Sequence, residues 1–152
     1  MSVKPIPEGY HTITPQLAVQ DASKAIEFYK KAFGAEVKDF AKDPSGEKVW
    51  HASLRIGTSM IYVNDVFPEM GGRESQSSIW LYVADCDAAF EQATEAGAKA
   101  LMPPGDMFWG DRMAHVADPF NQTWTLATHV KDLTPEQLKA AEAEFVANMK
   151  KE

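Results

Sequence analysis

The side chains best suited to chemistry in this chain of 152 residues are a histidine and the polar residues expected beside it. His51 lies in the alternating stretch from Lys48 to Ile56, which predicts a β-strand, so it shares a face with Ser53 and Arg55. A histidine can act as a general base near neutral pH, and an arginine can hold an anionic group. We expect Gln16, on another predicted strand, to orient a substrate for this base.

Other catalytic arrangements have weaker support. Ser53, Ser78 and Cys86 have no recognisable base at motif spacing, which argues against nucleophilic catalysis. Gln16 and His51 supply two donors for a metal ion, whereas a chelating site usually needs three or four. No carboxylate is predicted on the face of His51, so a structural or ligand-bonding role for this residue is favoured over a metal role.

Aromatic side chains form a second kind of candidate site. Trp80 and Tyr82 share a face of one predicted strand, and Trp109 lies in the loop that enters another. Flat rings with a few polar groups make a suitable wall for a planar or amphipathic small molecule. Half-buried rings are equally typical of subunit interfaces, so both uses stay open for Trp80 and Trp109.

The elements that must position these residues occur twice along the chain. The stretch from Val19 to Ala35 is echoed by the stretch from Val83 to Ala98. Each copy predicts a strand and a short helix that ends at a glycine, Gly34 or Gly97. Further strand patterns follow both helices, so the sequence predicts an α+β fold of two βαβββ modules in a single domain.

The module boundaries follow from changes in composition. We place module 1 at about residues 10–65 and module 2 at about residues 78–130. Residues 66–77 contain Pro, Gly, Ser and Gln, which predicts a linker or mobile loop between the modules.

Turn and cap motifs define the end of the chain. Pro103-Pro104-Gly105-Asp106 predicts a rigid turn, and Asn121 is expected to take a positive φ in the turn that begins at Asp118. Thr134-Pro135-Glu136-Gln137 is a capping box with proline at the first helical position. It predicts an amphipathic C-terminal helix over about residues 135–150.

Two motifs carry a resemblance to a known family. Phe108-Trp109-Gly110-Asp111-Arg112 is followed by Asp118-Pro119-Phe120, within paired βαβββ halves. In these features the chain resembles the glyoxalase/bleomycin-resistance/extradiol-dioxygenase superfamily and is most similar to its PhnB-like branch. The resemblance implies curved mixed sheets with a site on their concave faces. This fold hosts isomerases, lyases, dioxygenases and non-catalytic drug-sequestering proteins.

The resemblance also implies where a metal ion would bind. Enzymes of the superfamily hold a divalent ion with His, Gln or Glu side chains from the first and last strands of each module. The corresponding positions here lie at or beside Thr14, Ile61, Ser78 and Thr125. Hydroxyl and alkyl groups are poor ligands for such an ion, so we expect neither a metal nor another cofactor.

Two functional hypotheses follow, and a third stays open. The first is a protein that binds a small organic molecule in an aromatic cavity without a metal. The residues assigned to this site are Gln16, His51, Arg55, Trp80, Tyr82 and Trp109. The alternative is a metal-dependent lyase or isomerase of the glyoxalase type, with a shifted ligand set or with His51 as general base. The third is a domain that only assembles with other proteins.

Composition limits the partners and the compartment. The net charge is −7 and basic residues do not cluster, so we expect no nucleic-acid partner. The sequence contains neither a signal-peptide pattern nor 18 consecutive apolar residues, and its single cysteine, Cys86, fits a reducing compartment. We therefore expect a cytoplasmic protein that does not bind membranes. Because each module exposes a concave apolar surface, we expect a homodimer in which the chains can exchange modules.

Overall fold

A computed structural model of the protein describes residues 2–151. The first module consists of β1 (Gln16–Val19), α1 (Ala22–Phe33), β2 (Glu36–Lys42), β3 (Val49–Ile56) and β4 (Ser59–Asp65). The second consists of β5 (Ser78–Tyr82), α2 (Cys86–Ala96), β6 (Lys99–Asp106), β7 (Asp111–Ala117) and β8 (Thr123–His129). A 3₁₀ turn, Pro68–Met70, lies between the modules, and α3 (Pro135–Met149) follows the second.

Each module forms its own four-stranded mixed sheet. The strand orders are β1-β4-β3-β2 and β5-β8-β7-β6, so the two sheets have the same topology. The first strand of each module pairs in parallel with the last, and the other pairs are antiparallel. The predicted α+β fold of two βαβββ modules with a C-terminal helix is therefore confirmed.

The repeated helices begin and end in the same way. Asp21 accepts a hydrogen bond from the backbone N–H of Lys24, and Asp85 accepts one from that of Ala88. Both bonds satisfy amide groups that the first helical turn leaves free. Gly34 ends α1 with a φ of 68°, a left-handed conformation that a side chain would disfavour.

One hydrophobic core joins the two modules. α1 packs on β1, β3 and β4, and α2 packs on β6, β7 and β8, while the two helices also contact each other. From α1, Tyr29 and Phe33 reach into the second module and contact the fully buried Trp124 at ring-centroid distances of 5.4 and 4.4 Å. Such aromatic contacts bury a large apolar area, so the modules are packed as one unit.

The last residues of the linker are held firmly between the modules. The buried Gln122 side chain accepts a hydrogen bond from the Ser77 backbone N–H at 2.7 Å and donates one to the Ser75 carbonyl at 2.7 Å. On its other side, Ser75 donates its backbone N–H to the carbonyl of Ala18 in β1 at 2.9 Å. This end of the segment predicted to be a linker or mobile loop is thus part of the packed structure.

The predicted turn at Pro103-Pro104-Gly105-Asp106 is wrong, because these residues continue β6 to Asp106. β6 is an edge strand that pairs only with β7, and its register shifts twice before Gly105. A proline lacks an N–H, but an edge strand has one side on which no such donor is needed. The predicted positive φ of Asn121 and the capping box at Thr134 are both confirmed.

Within residues 2–151, no helix has both the length and the apolar composition needed to cross a membrane.

Candidate functional site

The residues predicted to form one site fall into two groups on different sheets. Each sheet has one face against the helices and one open face. Gln16, His51 and Arg55 belong to the first sheet, whereas Trp80 and Tyr82 belong to β5 of the second. Trp109 lies in the loop before β7. The hydrogen bonds and ring contacts of the two groups form two separate networks, which are described in turn.

The first group is a polar network on the open face of module 1. Gln16 donates its side-chain amide to Asn64 at 2.8 Å. The His51 Nε2 atom lies 2.9 Å from the Ser53 hydroxyl and 3.9 Å from an Asp39 carboxylate oxygen. Asp39 is thus a carboxylate near His51 that the sequence did not predict. The Arg55 guanidinium donates to the carbonyl of Gly57 at 3.1 Å.

The second group is organised by a buried carboxylate. Asp111 is only 3% exposed, and one of its oxygens accepts hydrogen bonds from the Tyr82 hydroxyl at 2.9 Å and the Trp109 indole N–H at 3.0 Å. Its other oxygen lies 2.9 Å from Nδ1 of His129. The second ring nitrogen of His129 lies 2.7 Å from Asp132. Asp111 therefore fixes the orientation of Trp109 and Tyr82 together.

Protonation in this network follows from its hydrogen bonds. Burial raises the pKa of the Asp111 carboxyl, but hydrogen bonds from His129, Tyr82 and Trp109 outweigh this effect and bring the pKa below its usual value. Hydrogen bonds to Asp132 and Asp111 raise the pKa of His129. The hydrogen bond to Asp111 also raises the pKa of the Tyr82 hydroxyl. The network therefore favours an ionised Asp111 beside a neutral phenol.

The side chains at the four metal positions of the superfamily do not fit a divalent ion. Ile61 is 4% exposed and packs in the core, away from the open face. The Thr125 hydroxyl is buried and lies 2.8 Å from Nδ1 of His115, while Thr14 and Ser78 add only neutral hydroxyls. In the part of the chain that the structure describes, no three His, Cys, Asp or Glu side chains form a group that could hold a metal.

Cys86 is not suited to act as a nucleophile. Its side chain is 1% exposed and its thiol donates a hydrogen bond to the carbonyl of Leu126 at 3.2 Å. Burial raises the pKa of this thiol, which disfavours the reactive thiolate. The residue therefore has a packing role at the start of α2.

A groove of 680 Å³ lies at the boundary between the modules. The end of α1 and the β3–β4 turn form one side, and β5 and the start of α2 form the other. Trp80 and Tyr82 line the groove and are 44% and 61% exposed, so their rings are accessible to a ligand. The other lining residues are Ala32, Phe33, Gly34, Ile56, Gly57, Thr58, Ser59, Leu81, Val83, Ala84, Asp85, Ala88, Ala89 and Gln92.

The repeat places a position equivalent to the groove at the other end of the module boundary, and that position is closed. Ala18 corresponds to Tyr82 in the repeat, and the linker residue Ser75 is hydrogen-bonded to it. Phe28, which corresponds to Gln92, packs against Phe120 at a ring-centroid distance of 6.0 Å. Linker and aromatic side chains thus fill one end of the module boundary.

At the groove, residues without aromatic rings replace these fillings. Gln92 and Ala93 occupy the α2 positions that correspond to Phe28 and Tyr29 of α1. The tight β3–β4 turn, with Gly57 at its start, has no ring comparable to Phe120. The groove is therefore the open member of a pair of equivalent positions.

Sequence reasoning missed Asp111 and His129 as partners. Successive residues of a strand point to opposite faces, so the adjacent Asp111 and Arg112 do not pair with each other. Arg112 instead pairs with Asp87 at 2.7 Å and with Asp106. The register of β7 with β8 places Asp111 opposite His129, and this register cannot be read from one strand alone. The signal available in the sequence was the alternation of side chains along β7, which indicates that Asp111 and Arg112 face opposite sides of the sheet.

The fold and these open faces define a protein with tandem βαβββ modules. Residues 10–126 match the family model described as the Glyoxalase/Bleomycin resistance protein/Dioxygenase superfamily, and the chain belongs to this superfamily. An uncharacterized protein of Mycobacterium tuberculosis (strain H37Rv) is 38% identical over 138 residues, which cover 85% of this chain and 81% of that protein. A similar uncharacterized protein of Mycobacterium bovis is also 38% identical, with 85% and 90% covered.

Solved structures share the same fold. TioX from Micromonospora sp. ML1 is 24% identical with a TM-score of 0.65, over 79% of this chain and 99% of that protein. A gene product of Arabidopsis thaliana is 26% identical with a TM-score of 0.61, over 78% and 98%. The fosfomycin resistance protein FosX from Listeria monocytogenes is 19% identical with a TM-score of 0.62, over 84% and 97%. The likeness to TioX and FosX is one of fold.

Proposed function

We propose that the protein binds a small planar organic molecule in the groove between its modules, without a metal ion. The observation that carries this proposal is the 680 Å³ groove with the accessible rings of Trp80 and Tyr82 on its wall. A volume of this size is typical of small-molecule sites, and stacking on flat rings favours a planar ligand.

Trp109 has an indirect part in this proposal. Trp109 and Tyr82 both donate to Asp111, so the Trp109 loop holds the phenol of Tyr82 in place rather than lining the groove. We assign Gln16, His51 and Arg55 to a second, polar part of the site on the open face of module 1. The Trp109-Gly110-Asp111-Arg112 and Asp118-Pro119-Phe120 motifs support placing the chain in the PhnB-like branch.

The test uses quinoline, a neutral planar probe, and ligand-observed NMR at neutral pH. We expect binding to the wild-type protein and a loss of about tenfold in affinity for Trp80→Ala, because the variant removes one wall of the groove. Trp50→Ala is the matched control, since Trp50 is 45% exposed but does not line the groove. Equal effects of the two substitutions would contradict the proposal, and so would a wild-type protein that binds neither quinoline nor a charged bicyclic analogue.

His51 supports a second candidate function, a lyase or isomerase of the glyoxalase type. The observation that favours this function is the Asp39 carboxylate, which places a negative charge 3.9 Å from Nε2 of His51. The test is turnover of a hemithioacetal with added nickel, zinc or manganese, compared with His51→Ala. A stoichiometric divalent ion in protein purified without chelators, lost in the same variant, would favour this function over metal-free binding.

We also propose that the protein is a cytoplasmic homodimer, with exchange of modules between chains as one arrangement. α3 carries apolar side chains on its surface, including Phe145 at 46% and Met149 at 60% exposed. Phe145 and Met149 are four residues apart and so share one face of the helix. Exposed apolar side chains grouped in this way are more typical of an interface than of a monomer surface.

A further inference from the structure

We infer that the ligand of the groove is an organic cation, such as a planar aromatic ammonium or pyridinium compound. This inference rests on the proposed binding function and adds the charge of the ligand. It combines two features of the groove: the charge of its lining, and the electron-rich faces of its aromatic rings.

The charge of the lining is negative. Among the described residues that line the groove, Asp85 is the one with a formal charge. Asp85 caps α2 by accepting the Ala88 N–H through Oδ1, and its side chain is exposed. A carboxylate at the wall of a groove attracts a cation and repels an anion.

The rings provide the second feature. The Trp80 and Tyr82 rings lie 6.2 Å apart between centroids with an interplanar angle of 46°, so one ligand can contact both rings. The faces of aromatic rings carry negative potential and attract cations. The Tyr82 hydroxyl donates to Asp111, and this hydrogen bond polarises the phenol and makes its ring more electron-rich. A cation on the exposed face of Tyr82 would gain from both effects.

An anionic or neutral ligand uses these features less well. The start of α2 would attract an anion through its helix dipole, but the Asp85 carboxylate occupies this position. No lysine or arginine is among the described residues of the lining. A neutral ring could stack on Trp80, yet it would gain nothing from Asp85 and Asp111.

The experiment compares three bicyclic probes that differ in charge. N-methylquinolinium is a permanent cation, quinoline is neutral at neutral pH, and quinoline-8-sulfonate is an anion. We expect N-methylquinolinium to bind the wild-type protein about tenfold more tightly than quinoline, and quinoline-8-sulfonate to bind least. Ligand-observed NMR titrations at low and high salt measure the three affinities, and salt should reduce the preference for the cation.

The repeat supplies a matched pair of variants. Asp85→Asn removes the charge at the groove, whereas Asp21→Asn removes the same charge from the cap of α1, which does not line the groove. Asparagine caps helices as well as aspartate does, so both proteins should fold. We expect Asp85→Asn to reduce the preference for the cation about threefold and Asp21→Asn to leave it unchanged.

Each outcome separates this inference from the proposed function. Equal binding of quinoline and N-methylquinolinium would overturn the inference while leaving small-molecule binding intact. An equal effect of Asp21→Asn and Asp85→Asn would also overturn it, because the preference would then reflect net charge alone. If none of the three probes binds, the proposed function fails, and the inference fails with it.

Discussion

Asp118 explains why the Asp-Pro-Phe motif is tied to this fold. The residue is 7% exposed, and its carboxylate accepts hydrogen bonds from the Tyr29 hydroxyl at 2.6 Å and the Trp124 indole N–H at 2.9 Å. It also accepts the backbone N–H groups of Phe120 and Gln122. One carboxylate thus joins α1 of the first module to the β7–β8 turn of the second.

Removing this carboxylate should destabilise the protein strongly. We expect Asp118→Ala to lower the free energy of unfolding by about 3–5 kcal/mol, because it leaves several buried donors without an acceptor. Tyr29→Phe removes one donor and should cost about 1.5–3 kcal/mol. Chemical denaturation measures both, with Glu91→Ala at an exposed position as control. If Asp118→Ala lowered the free energy of unfolding by less than Tyr29→Phe does, the carboxylate would not be the centre of this network.

His129 should make stability depend on pH. The pKa of His129 is raised in the folded protein. Its contribution to stability is therefore fully present below the pKa of the unfolded state, about 6.5, and is lost as the pH rises through the pKa of the folded state. The gap in melting temperature between wild type and His129→Gln should be wider at about pH 5.5 than at about pH 8.5. Asp132→Asn removes one hydrogen-bond partner of His129. In an Asp132→Asn background, the difference between the gaps at the two pH values should therefore be smaller. A gap that widens as pH rises would contradict the assignment.

The helices and strands could be predicted because their signals lie a few residues apart in the sequence. The site could be predicted only in part because it depends on which residues of different strands lie opposite each other. The caps at Asp21 and Asp85 and the glycine stop at Gly34 depend on residues a few positions apart, and the sequence indicated all three. The pairing of Asp111 with His129 depends on register between strands. The same limit explains the wrong turn prediction in β6. The two prolines fit a strand there because β6 lies at the edge of its sheet, and an edge position is a property of the whole sheet.

α3 reaches the Asp111 network through a chain of aromatic contacts. Phe145 of α3 lies 5.0 Å from Phe108 between ring centroids, and Phe108 lies 5.1 Å from Trp109 in an edge-on arrangement. The loop is also tied down at Gly110, whose carbonyl accepts the Val130 N–H at 2.9 Å. A Cβ at Gly110 would collide with the backbone of Lys131, which follows β8. The C-terminal helix therefore supports the orientation of Trp109.

This support can be tested with Phe145→Ala. We expect the indole N–H signal of Trp109 to shift in ¹H–¹⁵N NMR spectra, while that of the buried Trp124 stays in place. The loss in unfolding free energy should be about 1 kcal/mol, because Phe145 is only half-buried. Met149→Ala is the control on the same helix. An unchanged Trp109 signal in Phe145→Ala would show that α3 does not act on the loop.

For the whole molecule, the proposed homodimer predicts a mass in solution about twice the 16.8 kDa of the chain. Size-exclusion chromatography with light scattering at micromolar concentration measures this mass. Because the apolar face of α3 is proposed to lie in the interface, Met149→Asp should shift the equilibrium toward the monomer, and Glu142→Asp should not. A mass near 16.8 kDa for the wild type would overturn the proposal.

The closed end of the module boundary has a consequence for how sequences of this kind can change. A duplicated module begins with two equivalent ends, and here Gln122, Ser75 and Phe120 seal one of them. Substitutions of these hydrogen-bonded and packed residues are therefore costly to folding. The other end, around the exposed Thr58 and Ala88, borders the groove and can accept new side chains at little cost in folding. Relatives that keep the sealed end can therefore differ in sequence at the other end without losing the fold.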